Sequence, residues 1–248
     1  MKPTVKNMLL LALSPIGKTL YIYGGGWNEA DTSAGEEAKT IGTSPLWQSF
    51  YSLNTRGYNY KNFDYKKKPN LIHFGLDCSG YVGWVLYNLF ESKNGKNGYV
   101  YKSNTIAKVL AEKGLGIFTA ARDIASYLPG DILSGDKTCH TFIALSQCSD
   151  KSLILLHSSP PSPMVSSTPT PEGCPSQADA LAEGFMKKAY PKHFALHPDI
   201  KRPVSYLTDY NLFRFYPHIL KDPDDYNAKT AQEILTDLFN TISKASET

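Results

Sequence analysis

Two apolar runs in the middle of the chain constrain the fold more than any other feature. The runs "HTFIALSQ" and "SLILLHSS" cover residues 140–147 and 152–159, and the polar residues "CSDK" separate them. Each run has the length and the composition of a strand, and a short polar connection between two such runs is typical of a hairpin. We therefore predict two antiparallel strands, with His140 opening the first and His157 near the end of the second.

Helical patterns flank this hairpin on both sides. Apolar residues recur at helical spacing from Val5 to Ile16, where Thr4 is a suitable cap, and behind Asp77, which caps a second helix. The same reasoning predicts further helices over residues 104–113, 177–188 and 228–244, and further strands at "PGDILS" and "YNLFRFYPH". Helices, then meandering strands, then helices predict an α+β fold, which we interpret as one domain over residues 1–248.

Two long stretches do not belong to this pattern, and we interpret both as insertions. Residues 28–73 have only a weak helical signal at 45–53, and six tyrosine and phenylalanine rings fall within 50–65. Those rings either grip an extended substrate or pack the insertion onto the domain. The second insertion, residues 158–205, opens with a stretch rich in proline and serine up to residue 177, which we predict to be a loop that cannot pair as a strand.

Composition and cysteine spacing narrow the function classes. The net charge of +3 is too small to indicate a nucleic-acid partner, and no apolar stretch is long enough to cross a membrane. The run "MLLLAL" is short for the core of a secretion signal, so we interpret it as part of a structural helix. The four cysteines include no CxxC pair, so the sequence indicates neither a zinc site nor any other cofactor.

Cys78, His140 and His157 are the candidates for nucleophilic catalysis. Cys78 follows the cap Asp77, and a helix start offers backbone N–H groups and a dipole that favour a thiolate. A cysteine nucleophile needs a base, and the base needs a third group to orient it. The hairpin brings His140 and His157 together for these two roles. From spacing alone, a buried structural thiol and two structural histidines remain an equal or better explanation.

Five blocks of this sequence, taken together, resemble a known family. They are "YIYGGGW", "LDCSGYVGWVLY", "LPGDILSG", "HTFIAL" and "LLHSS", and they occur in the family's order over roughly residues 5–157. In this arrangement they are similar to the NlpC family of papain-like cysteine peptidases. The resemblance implies a papain-like fold, in which N-terminal helices pack on a central antiparallel sheet, here with the two insertions.

The resemblance also implies an activity and roles for single residues. It implies hydrolysis of the amide bond between γ-D-glutamate and a diamino acid in peptidoglycan stem peptides or muropeptide fragments. Cys78 matches the nucleophile, His140 the base and His157 the orienting residue. Tyr21, Asp77 and Ser79 match residues that line the pocket beside the nucleophile, where some members hold a free amine.

The insertions are departures from the family pattern and leave alternatives open. A papain-like amidase or acyltransferase could use the same cysteine and histidine on another amide or ester. A binding module for wall fragments could keep the fold without the chemistry. The implied location is the cell wall or outside the cell if a signal has been removed, and otherwise the cytoplasm; the oligomeric state stays open.

Overall fold

The predicted hairpin lies within a six-stranded antiparallel sheet. The protein is described here by a computed structural model, which covers residues 2–63, 66–91 and 97–245. The strands run in the spatial order β1-β6-β2-β3-β4-β5. Their bounds are β1 Gly116–Thr119, β2 Ile132–Gly135, β3 Thr141–Gln147, β4 Leu153–Ser159, β5 Ser162–Ser167 and β6 Tyr210–Phe215.

The helices confirm most of the sequence prediction. Their bounds are α1 Val5–Leu13, α2 Pro45–Asn54, α3 Cys78–Phe90, α4 Ile106–Glu112, α5 Gln177–Ala189, α6 Pro191–Leu196, α7 Ser205–Thr208 and α8 Ala231–Ala245. The Thr4 side chain accepts from the Asn7 amide at the start of α1, as its position predicted. The architecture is therefore α+β. The prediction of one domain over residues 1–248 stays a prediction, because it includes residues outside the described ranges.

The prediction that residues 158–177 cannot pair is wrong. Pro160 and Pro161 form the turn after β4, and β5 then pairs antiparallel with β4 along its whole length. β5 is an edge strand of the sheet, where a proline such as Pro163 is tolerated because the outer side of the strand carries no continuous ladder; in the described part of the chain, its backbone bonds another segment there only at Ser167. This correction matters for the site, since β5 lies against His157.

The first insertion is also more ordered than predicted. It contains α2, which starts with Pro45 behind a Ser44 cap, and short 3-10 turns at Glu37–Lys39, Tyr60–Asn62 and Pro69–Phe74. The run "TLYIYGGGWN" before it makes turns and two isolated bridges, from Leu20 to Gly75 and from Trp27 to Ala34, and is not part of the sheet.

Both faces of the sheet are covered, which explains why β3 and β4 are buried along nearly their full length. One face carries Ile143 and Leu156 and packs against a large core that includes residues of α1, α3, α5 and α8. The other face carries Phe142 and Leu155 and is covered in part by Tyr206 of α7. In the hairpin, Ile143 of β3 lies opposite Leu156 of β4.

One buried histidine joins the two insertions to β5. His193 in α6 shares a hydrogen bond of 2.7 Å with the Tyr51 hydroxyl of α2 and one of 3.1 Å with the Ser162 hydroxyl at the start of β5. Burial, followed by the nearby His197, lowers the pKa of His193 to about 4, so it is neutral at pH 7.

A buried ion pair fixes the other end of the sheet. Arg214 of β6 binds Asp131 with two hydrogen bonds of 2.8 and 2.6 Å, and the Asp131 side chain is only 2% exposed. Among the helices of the described ranges, none combines the length and the apolar character that spanning a bilayer requires.

Candidate active site

Cys78 lies at the first position of α3, as the sequence predicted. The cap Asp77 accepts a hydrogen bond from the Gly80 amide at 2.7 Å, which satisfies one of the free donors of the first turn. The Asp77 amide itself donates to the carbonyl of Gly25 at 2.9 Å. The helix start and the upstream glycine turn are thus connected directly through the backbone.

Glycine is required where these two segments meet. A β-carbon on Gly80 would lie 2.0 Å from the Gly25 carbonyl oxygen, which no side chain can tolerate. Gly26 has a φ of +91°, a conformation that glycine adopts without strain. The "YIYGGGW" and "LDCSGYVGW" blocks are therefore one structural unit, in which the turn packs on the backbone of α3.

The Cys78 thiol is buried against the chain that leads into β3. Its side chain is 6% exposed, and the thiol donates to the carbonyl oxygen of Cys139 at 3.9 Å. Burial, then the nearby Asp77 carboxylate, raises the pKa of Cys78 to about 12, while the amides of Thr141, Ser79 and Cys78 itself act to lower it. In this ligand-free geometry desolvation outweighs the helix start, so the resting group is the neutral thiol.

The two predicted histidines meet directly. His140 Nε2 lies 2.9 Å from His157 Nδ1, across neighbouring strand segments. Burial and then Arg202 lower the pKa of His140 to about 3, and burial, His140 and Arg202 lower that of His157 well below its ordinary value. Both rings are therefore neutral at rest.

A residue that the sequence reading missed completes this pair. His157 Nε2 lies 2.9 Å from the hydroxyl of Ser166, which is fully buried on β5. Both ring nitrogens of His157 therefore have partners. Ser166 could not be identified from the sequence, because its segment is rich in proline and serine and was predicted to be an unpaired loop.

The helix α7, which directly follows the second insertion, covers the histidines from the other side. The ring of Tyr206 in α7 lies 5.7 Å from that of His140 and 6.2 Å from that of His157. Tyr206 also stacks on Phe142 at 5.3 Å, which fixes it to the sheet. The segment between the second insertion and β6 therefore supplies a wall beside the histidines.

A pocket of about 290 Å³ opens beside Cys78. The pocket is lined by Cys78 and by the three residues predicted for substrate binding, Tyr21, Asp77 and Ser79. Cys139 is part of the wall, and His140 follows it in the chain. The wall also includes residues that the sequence reading gave no role, namely Tyr23, Gly24, Trp27, Asp31, Lys102, Ser103, Asn104 and Cys139.

Hydrogen bonds hold the Asp77 carboxylate in this pocket. Ser79 donates to Asp77 Oδ1 at 2.9 Å and in turn accepts from the indole N–H of Trp27 at 2.9 Å. Burial raises the pKa of Asp77 to about 6, against the lowering effect of the hydrogen bonds from Gly80, Ser79 and Gly24. Asp77 is thus a buried anion above about pH 6, suited to a cationic group.

The aromatic rings of the first insertion pack mainly on one another. Phe50 contacts Tyr58, Phe63 and Phe74, with ring centroids 6.5, 5.4 and 5.3 Å apart. Tyr60 meets the ring of Tyr21 edge-on at 5.8 Å, and the Tyr58 hydroxyl donates to the Tyr21 carbonyl. These contacts favour the packing explanation and leave the pocket beside Cys78 open. Tyr65, the sixth ring, lies outside the described residues.

The cysteines, and the acidic residues of the described ranges, are arranged neither as disulfides nor as a metal site. All four cysteines are free; Cys78 and Cys148 are buried, whereas Cys139 and Cys174 are exposed. In the part of the chain that the structure describes, no group of three or more histidine, cysteine or acidic side chains is arranged to hold a metal ion.

Comparisons with known proteins add no relative: no protein-family model, curated protein or solved structure matches this chain.

Proposed function

We propose that this protein is a cysteine endopeptidase of the NlpC type, with a papain-like fold, that cuts peptidoglycan stem peptides between γ-D-glutamate and the diamino acid. The observation that carries the proposal is the joint placement of Cys78 and the His140–His157 pair. Cys78 opens a helix at the floor of a pocket, and its thiol contacts the residue before His140.

The hydrogen bond between the two histidines supports the proton transfers in this proposal. His140 Nε2 is held by His157, so Nδ1 is the nitrogen that takes the thiol proton. The sulfur then bonds to the γ-carbonyl carbon, and the C–N bond breaks as His140 returns the proton to the departing amine. Water, activated by the same nitrogen, hydrolyses the acyl-enzyme and restores the thiol.

Backbone amides support the charged intermediate. In the resting site, burial raises the pKa of the Cys78 thiol, whereas the backbone amides of Thr141, Ser79 and Cys78 act to lower it. When the sulfur attacks, the backbone amides at the helix start would serve as donors for the oxygen of the tetrahedral intermediate. No metal is part of this mechanism.

The pocket supports recognition of a free amine on the acyl side of the substrate. Asp77 supplies the anion, and Ser79, held by Trp27, keeps its carboxylate in place. Burial, followed by the nearby Asp77 carboxylate, raises the pKa of Tyr21. The Tyr21 hydroxyl therefore stays protonated and remains a donor.

The test is hydrolysis of the tripeptide L-Ala-γ-D-Glu-meso-diaminopimelate by the purified protein, with release of the diamino acid followed by chromatography. Cys78→Ala and His140→Ala should each remove turnover while the circular-dichroism spectrum stays unchanged. Cys148→Ala is the matched control, because that cysteine is also buried but lies away from the pocket. Hydrolysis by Cys78→Ala at the wild-type rate would refute the mechanism.

A panel of other amides and esters separates the peptidase from related chemistry. Mass spectrometry should detect an acyl-enzyme on Cys78 with the stem peptide and not with simple esters. An adduct that forms only with esters or with unrelated amides would refute the proposed substrate.

A further inference from the structure

We propose that Ser166 is a positioning residue, whose hydroxyl accepts the Nε2 proton of His157 and thereby keeps Nδ1 of His140 free of a proton. The proposal rests on the proposed function in one respect, namely that His140 is the base. It goes beyond that function because it assigns a fourth member to the site and a definite tautomer to both rings.

The first step follows from the histidine pair. The 2.9 Å contact between His140 Nε2 and His157 Nδ1 joins two ring nitrogens, and one of them must carry the proton. If His140 takes the thiol proton at Nδ1, that nitrogen is bare at rest, so the ring's own proton is at Nε2. His157 Nδ1 must then be the acceptor.

The second step places the proton of His157. The ring is fully buried and neutral, so it carries one proton, and with Nδ1 accepting, that proton is at Nε2. The partner at Nε2 is the Ser166 hydroxyl at 2.9 Å, which can accept because a hydroxyl oxygen has two lone pairs. A chain of two hydrogen bonds thus leads from β5 to the base.

Within the described ranges, the side-chain hydrogen-bond partners of the two His157 ring nitrogens are His140 and Ser166, and neither is a carboxylate. The titratable and charged groups that act on it are His140 before β3 and Arg202 after α6, and the Tyr206 ring of α7 lies 6.2 Å away. A guanidinium disfavours a charged imidazolium but does not choose between the two neutral tautomers. Among the described residues, the side-chain hydroxyl of Ser166 is the group bonded to Nε2.

Loss of the hydroxyl should reverse both tautomers. In Ser166→Ala, a proton on Nε2 would be a buried donor with no acceptor, which is costly. The proton is then better placed on Nδ1, where His140 Nε2 can accept it. His140 must in turn carry its proton on Nδ1, and it can no longer accept one from the thiol.

The neighbouring serine provides a matched control. Ser167 is also fully buried on β5, but its hydroxyl donates to Asp179 at 2.7 Å, away from the histidines. Ser167→Ala therefore removes a buried hydrogen bond from the same strand without touching the pair. Ser166→Thr keeps a hydroxyl at the site and should preserve the wild-type tautomers.

The experiment is a long-range ¹H–¹⁵N correlation spectrum of the histidine rings at pH 7, assigned with His140→Gln and His157→Gln. We expect protonated Nε2 and bare Nδ1 on both rings in wild type, Ser166→Thr and Ser167→Ala, and protonated Nδ1 on both in Ser166→Ala. In the stem-peptide assay, kcat of Ser166→Ala should fall by about tenfold or more, with Ser167→Ala close to wild type.

Three outcomes would overturn the proposal: a wild-type spectrum with the proton on His157 Nδ1, an unchanged spectrum in Ser166→Ala, or an equal change in Ser167→Ala. The spectrum needs no substrate, so it separates this proposal from the proposed function. The expected tautomers without hydrolysis of any stem peptide would refute only the activity. Hydrolysis together with the opposite tautomers would refute only the role of Ser166.

Discussion

The buried carboxylate of Asp77 makes the stability of the protein depend on pH in a way that can be measured. Its pKa rises from the ordinary value of 3.8 to about 6, chiefly through burial. The folded state therefore binds this proton more tightly than the unfolded state, and stability falls as pH rises from about 4 through about 6. A tenfold change in proton affinity is worth about 1.4 kcal/mol, so the full effect is about 3 kcal/mol.

The perturbation is Asp77→Asn. The asparagine oxygen still accepts from the Gly80 amide, so the helix cap is kept, but the side chain no longer titrates. The NH₂ group of the asparagine side chain would face the backbone N–H of Gly24, where the wild type has a carboxylate oxygen. The loss of that hydrogen bond lowers the free energy of unfolding by the same amount at every pH. The free energy of unfolding of the variant, relative to wild type, should therefore rise by about 2 kcal/mol between about pH 4.5 and about pH 7.5.

The assay is urea denaturation followed by tryptophan fluorescence at several pH values across this range. Asp150→Asn is the control. Hydrogen bonds from Gln177 and Ser152 outweigh burial and lower the pKa of Asp150 below its ordinary value of 3.8. The difference in unfolding free energy between Asp150→Asn and wild type should therefore not change with pH across this range. A flat difference for Asp77→Asn, or one that falls as pH rises, would refute the reasoning. The same titration should raise KM for an amine-bearing substrate below about pH 6.

The remaining predictions concern the ion pair, the glycine contact and the thiol. Arg214→Met should lower the free energy of unfolding by about 3 kcal/mol, because it leaves Asp131 buried and unpaired; a loss near zero in urea denaturation would contradict this. Gly80→Ala should destabilise by at least about 2 kcal/mol through its backbone clash, whereas Gly184→Ala, in open space on α5, should be neutral or stabilising in thermal melts. Without substrate, the rate at which iodoacetamide alkylates Cys78 should rise about tenfold per pH unit from pH 7 to pH 10, because the pKa of the thiol is about 12. A rate that reaches a plateau below pH 8 would show a stabilised thiolate instead.

Two controls sharpen these measurements. Arg122→Met breaks a pair with Asp123 in which both side chains are largely exposed, so it should cost less than about 1 kcal/mol. The Cys78→Ala variant reports the alkylation of the exposed Cys139 and Cys174, which is subtracted from the wild-type rate.

The parts of the fold that local sequence determines could be predicted. The hairpin β3–β4 follows from two apolar runs and a polar turn, and α3 follows from the Asp77 cap and an apolar stripe. Each of these signals lies within about twenty residues of chain. The helix start and the hairpin then bring Cys78 close to the residue before His140.

The parts that depend on tertiary contacts could not be predicted. β5 has prolines and serines and little β-favouring character, and it is a strand because β4 offers it a complete ladder. Ser166 and Tyr206 reach the histidines only through that ladder and through α7. The neutral thiol was likewise unforeseen, since the helix start is visible in sequence and the burial of Cys78 is not.

The hydrogen bonds of His193 have a consequence for how the molecule opens. The His193 ring is hydrogen-bonded both to Tyr51 of α2, in the first insertion, and to Ser162 at the start of β5. If either α2 or β5 moves away and displaces this ring, the hydrogen bond to the other element is also disturbed. The two insertions and the outer strand should therefore exchange their amide hydrogens as one cooperative unit. A substitution such as Tyr51→Phe would then accelerate exchange in β5, on the far side of His193, as well as in its own helix.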